Sequence, residues 1–122
     1  MSKKRILIVD DEVSVAKTVK FILDAEGFET SVVFNGDDCL KKAEGESFDL
    51  ILLDIMMPKM NGWQVFEEIH KRKPKQKVAF LTVIKYSEAV MEKLRKEGLA
   101  DSIPKPFENE DLVTRVKTIT ST

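Results

Sequence analysis

Four short clusters of the sequence carry side chains able to do chemistry. Asp10, Asp11 and Glu12 follow the apolar run Ile6-Leu7-Ile8-Val9, and Asp54 follows Leu50-Ile51-Leu52-Leu53. Thr82 closes the run ending Phe80-Leu81, and Lys105 opens Lys105-Pro106-Phe107. Carboxylates brought close together repel and take up protons unless a cation neutralises them. Hard oxygen donors with no Cys or His among them point to Mg²⁺, which keeps several waters and takes one or two carboxylates. Any one of these aspartates alone reads as a helix cap or a turn former. Their conjunction decides otherwise: three Asp, a hydroxyl and a Lys all fall just after strand-like runs, where ligands bind in an open parallel sheet.

The elements that must position them alternate along the chain. Strands are expected at Arg5–Val9, Phe28–Phe34, Phe48–Leu53, Lys77–Thr82 and about Ala100–Ile103. Several are nearly continuous apolar runs, as when helices cover both faces of a parallel sheet. Between them the apolar spacing is helical. The stripes are Val15, Val19, Ile22 and Leu23; Cys39, Leu40 and Ala43; Val65, Phe66 and Ile69; Val90, Met91 and Leu94; and Leu112, Val113, Val116 and Ile119. Gly27 and Gly98 follow two of these as C-terminal stops. Five βα units make a doubly wound α/β sheet rather than a barrel, which needs about eight. Strands one and three are neighbours in such a sheet, so Asp10, Asp11 and Asp54 converge on one pocket.

Composition sets the outer bounds. At 122 residues the chain is one domain, residues 1–122, on a prior of about 150 residues per domain. Twenty Lys and Arg against 21 Asp and Glu leave a net charge of -1, which gives no whole-domain reason to bind nucleic acid or an anionic membrane. One Cys and one His assemble neither a disulfide framework nor a closed zinc site. The apolar runs are too short to span a bilayer, and no apolar signal segment opens the chain, so a cytoplasmic location is expected. The glycines are too sparse for a dinucleotide fingerprint or a P-loop. A phosphatase of the haloacid dehalogenase type, which also uses an Asp after a strand, wants a second Asp two residues on, where this chain has Met56.

Taken together, Asp10-Asp11 after Ile-Leu-Ile-Val, Leu52-Leu53-Asp54-Ile55-Met56-Met57-Pro58 with Gly62, then Thr82 and Lys105-Pro106-Phe107 resemble the receiver domain of two-component response regulators. The resemblance runs over essentially the whole chain. It implies a flavodoxin-like fold, a five-stranded parallel sheet in the order 2-1-3-4-5 with five helices on both faces. It further implies that Asp54 accepts a phosphoryl group from the phosphohistidine of a sensor histidine kinase. Asp10, Asp11, Asp54 and the backbone carbonyl of Met56 then surround Mg²⁺, Thr82 hydrogen-bonds the phosphoryl group, and Lys105 pairs with it. The chain would catalyse only its own phosphorylation and dephosphorylation. Its output would be an altered surface for an unknown downstream effector, as a monomer or weak dimer through the face of the fourth helix, fifth strand and fifth helix. No direct contact with nucleic acid or membrane is expected.

Several positions depart from that pattern or fall outside it. An aromatic usual three residues before the active-site Lys is Ser102 here, and Tyr86, expected at the start of the fourth helix, is the nearest substitute. Met56 and Ile84, two residues beyond Asp54 and Thr82, offer a hydrolytic water no hydrogen bond, which predicts slow self-dephosphorylation. Val83 is bulkier than usual and would narrow the pocket. His70 reads as a surface residue, the run Lys71, Arg72, Lys73, Lys75 and Lys77 as a solvated loop, and Cys39 as a half-buried apolar residue. Met56, Met57 and Met60 read as loop packing, and Trp63 as packing at a helix start.

Overall fold

A computed structural model describes residues 3–121. Five parallel strands lie in the order β2-β1-β3-β4-β5: β1 Arg5–Val9, β2 Glu29–Val33, β3 Leu50–Leu53, β4 Val78–Thr82 and β5 Leu99–Pro104. Between and after them run α1 Val13–Ala25, α2 Gly36–Gly45, α3 Gly62–Arg72, α4 Glu88–Lys96 and α5 Asn109–Thr120. Every element expected from the sequence is present. β2 and β3 are shorter at their ends than expected, and β5 is longer, with an irregularity where Val78 pairs with Leu99 but Ala79 with Asp101. No helix among the described residues is long and apolar enough to cross a membrane.

The central strands are apolar at consecutive positions because both faces are covered. Alternate residues point to opposite sides, so Leu7, Val9, Ile51 and Leu53 face α2, α3 and α4, whose buried residues include Cys39, Val65, Phe66 and Leu94. Ile6, Ile8, Leu50 and Leu52 face α1 and α5, with Ala16, Val19, Leu23, Leu112 and Val116. Two separate cores thus sandwich one sheet. Each fully buried Leu or Ile contributes about 1.5–3 kcal/mol relative to exposure.

The helix stripes are rotated slightly from expectation. Ala16, not Val15, lies under α1, and Val15 and Ile22 only flank the core. In α4, Met91 and Leu94 are the buried pair while Val90 is exposed. The α2 stripe, sparse in the sequence, is set at its start by Asn35, whose side chain accepts from the Asp38 amide. Cys39 is wholly buried, and that burial pushes its thiol up to about 12.

Two expectations about the far edge of the sheet need correction. The basic run is not simply solvated. Lys73 Nζ donates to the carbonyls of Ala43 and Glu46 at the end of α2, and Lys77 Nζ donates to the Ile119 carbonyl in α5 at 2.7 Å. These cations satisfy carbonyls that a helix end leaves unpaired. His70 is not a plain surface residue either. Its ring lies 4.3 Å from that of Phe66, and its Nε2 is buried without a hydrogen-bond partner.

Candidate functional site

The strand ladder carries on one residue past β1 and β3. The Asp10 amide donates to the Val33 carbonyl at 3.3 Å, and the Asp54 amide donates to the Val9 carbonyl at 3.0 Å. Both aspartates are therefore fixed by backbone at the same end of the sheet, 2% and 4% exposed respectively. Lys105, just beyond β5, is tied to β4 by its amide, which donates to the Thr82 carbonyl at 2.9 Å. The Lys105–Pro106 peptide is cis.

Carboxylate oxygens of Asp10, Asp11 and Asp54 all lie within 4.8 Å of one another, with Asp11 the exposed member. Asp10 divides its oxygens: Oδ1 accepts from the Glu12 amide at 2.9 Å, and Oδ2 accepts from Lys105 Nζ at 2.6 Å. Lys105 Nζ also sits 3.5 Å from Asp54 Oδ2, while Asp54 Oδ1 accepts from the Met56 amide at 3.1 Å. Burial pushes the Asp54 carboxyl up to about 6, against the pull of Lys105 and with help from the Asp10 charge. Burial works to lower Lys105, but its bond to Asp10 and the charge of Asp54 outweigh that and hold it above its ordinary value. A buried carboxylate beside another, with one ammonium between two anions, is short of positive charge. An all-oxygen donor set of this kind suits a divalent cation.

The structure thus gathers Asp10, Asp11, Asp54 and Lys105 into one constellation. Thr82 ends β4 fully buried, and its hydroxyl accepts from the Ile84 amide at 3.3 Å. Met56 meets the site through its backbone, but its side chain is 59% exposed, so the reading of Met56 as loop packing fails; Met57 and Met60 do pack. Val83, beside Thr82, is also exposed.

Two contributors escaped the sequence reading. Gly62 belongs to the sequence motif, but its role comes from the fold: a Cβ there would stand 2.5 Å from the Asp54 carbonyl oxygen, and the Gly62 amide donates to the Ile55 carbonyl at 2.8 Å. The start of α3 is thereby clamped against the strand end that carries Asp54. It is closed by a capping box between Asn61 and Gln64. The second is an aromatic cluster in which Trp63 packs edge-on to Phe80 and Tyr86, each at 5.7 Å between ring centres. Trp63 Nε1 donates to the Tyr86 hydroxyl at 3.1 Å. Tyr86 lies in the loop before α4, not in its first turn, which Ser87 caps. A Trp after Asn61-Gly62 carries no pairing signal with a Tyr 23 positions on, so only the fold could reveal the contact.

The pattern of the response regulator receiver domain matches residues 6–117. The chain belongs to this family. The receiver is 35% identical over 116 residues to the transcriptional regulatory protein CpxR homolog of Haemophilus influenzae, a match covering 94% of this chain and 49% of that protein. It thus spans about half the length of the curated relatives it matches. Among solved structures, a CheY-like response regulator receiver domain protein from Methanospirillum hungatei is 35% identical with a TM-score of 0.89, over 98% of this chain and 95% of that one. The response regulator TrrA of Thermotoga maritima, solved in complex with Mg²⁺ and BeF, is 34% identical with a TM-score of 0.82, over 95% and 98%. The five-stranded order and the five helices of the receiver are those of its family.

Proposed function

We propose that this receiver, over residues 1–122, is the phosphoacceptor unit of a two-component pathway, with Asp54 as the acceptor. The observation that carries the reading is the placement of Asp54: buried, clustered with Asp10 and Asp11, and 3.5 Å from Lys105 Nζ. An oxygen of Asp54 attacks the phosphorus of a phosphohistidine on a sensor histidine kinase. The P–N bond breaks, a P–O bond forms, and the electron pair returns to the imidazole. Such transfer needs positioning and charge neutralisation more than covalent work by the protein. Asp10, Asp11 and Asp54, with the Met56 carbonyl, are the groups that would hold Mg²⁺. When bound, the ion supplies the positive charge that lets an anionic donor approach an anionic acceptor. Lys105 covers phosphoryl oxygens, and the Thr82 hydroxyl gives them a hydrogen bond.

On this reading the receiver turns over no substrate other than its own phosphoryl group. Its partners are the kinase and a downstream effector, met in the cytoplasm as a monomer or weak dimer through α4, β5 and α5, with no direct nucleic-acid contact. The test is incubation with Mg²⁺ and a small phosphodonor, followed by mass spectrometry. One covalent phosphoryl group, lost in Asp54→Asn, is the expected result. Multiple turnover with release of phosphate would instead indicate a phosphatase, and no reaction a docking module. Mg²⁺ alone should raise the melting temperature, because a ligand that binds only the native state stabilises it.

A further inference from the structure

The loop from Val83 to Ser87 joins Thr82 to α4, and its side chains alternate. Val83 and Lys85 are exposed, while Ile84 and Tyr86 turn in against the core that holds Phe80. The loop is held at both ends. At one, the Ile84 amide donates to the Thr82 hydroxyl; at the other, the Tyr86 hydroxyl accepts from Trp63 Nε1. The two anchors differ in rigidity. Trp63 stands in the first turn of α3, clamped to the Asp54 strand end by Gly62 and the capping box. Tyr86 belongs to no regular element.

We infer that Trp63 and Tyr86 form a latch that restrains the loop after Thr82 and so opposes the activated arrangement of the site. The inference rests on Asp54 being the phosphoacceptor. An anion formed on Asp54 attracts the Thr82 hydroxyl as a donor, and any shift of that hydroxyl pulls on Ile84. The pull passes along the loop only two residues further to Tyr86, whose bond to Trp63 at the clamped start of α3 resists it. Both residues are therefore positioning residues, acting on the site through Thr82. Their rings can stay packed while the single hydrogen bond opens, so the bond can be removed without emptying the core.

The test is calorimetric titration of the full chain with beryllofluoride at saturating Mg²⁺, well below the melting temperature of every variant. The parent should bind, and Tyr86→Phe should bind about three- to tenfold tighter, the worth of one neutral hydrogen bond. Trp63→Phe should show the same gain, and the double variant no more, because all three lack the same bond. A general loosening of the fold would give additive effects instead. The chain has one Trp, so Trp63 emission in the parent should change along the titration. Equal or weaker binding by Tyr86→Phe, additive gains in the double variant, or unchanged emission while heat is released would overturn the latch and leave the phosphoacceptor reading standing. No beryllofluoride binding by the parent would overturn that reading, and the latch with it. If Tyr86→Phe proves poorly folded, Trp63→Phe alone carries the comparison.

Discussion

At the scale of single residues, Asp54 holds a carboxyl whose proton the folded state retains up to about pH 6, against an ordinary 3.8. Because the native state binds more protons than the unfolded chain between those values, this group's contribution to stability is fully present at low pH and is lost as pH rises through about 6. Asp54→Asn removes the ionisation. The stability advantage of Asp54→Asn over the parent should therefore grow by about 1 kcal/mol from pH 5 to pH 8, measured by denaturant melts. An advantage that is flat across that range would show that the carboxylate is not destabilised by its surroundings. On the proposed function, a second residue should set the lifetime of the phosphorylated state. Met56 is solvent-exposed and apolar, so Met56→Asn should shorten the half-life about tenfold by orienting the attacking water, read by phosphate release. Ile84→Glu, the corresponding change two residues beyond Thr82, would be a poor probe of the same water, since that side chain packs against the core that holds Phe80 and a Glu there would lose its hydration. Asp10, Asp11, Asp54 and Thr82 were readable in the sequence because they end or follow short apolar runs bounded by polar residues, whereas Lys105, preceded by the mixed stretch Ala100-Asp101-Ser102-Ile103-Pro104, was readable from Lys105-Pro106-Phe107 and the family resemblance. What Gly62 does was not readable, since the atoms that exclude a Cβ belong to the strand end eight residues earlier.

At the scale of elements, the turn between α4 and β5 is locked by a residue from another helix. Gly98 has φ +109°, and a Cβ placed there would come within 2.3 Å of His70 Cε1. Gly98→Ala thus meets two penalties, a backbone conformation poorly suited to L residues and a clash, together about 2–4 kcal/mol. Adding His70→Ala should recover the clash but not the backbone term, so a double-mutant cycle on melts should show coupling between the two sites. Independent, additive effects would mean the ring moves aside freely. The sequence announced Gly98 as a helix stop but not the ring beside it. Local periodicity likewise left Ala16 out of the α1 stripe, although Val19 and Leu23 are buried as expected, because Ala16 is too small to stand out among its valines. The lysines of the α3–β4 connection looked solvated for the same kind of reason. The carbonyls they cap lie 27 to 42 residues away, beyond any local pattern.

At the scale of the whole molecule, the sheet divides the interior into two cores that share no side chains, one under α2, α3 and α4 and the other under α1 and α5. This division was implicit in the continuous apolar strands, which require cover on both faces. How firmly each helix is held was not implicit. All four residues of β3 are buried, whereas α4 commits only Met91 and Leu94 of its nine residues. Native proteins open in parts, and the parts with the least buried apolar surface open at the lowest free energy. On that principle the amides of α4 should exchange with solvent at a lower opening free energy than those of β3, which native-state hydrogen exchange would read. An effector that favoured a detached α4 would then have no new shape to create; it would select a fraction of molecules already in circulation, and phosphorylation would change only how large that fraction is.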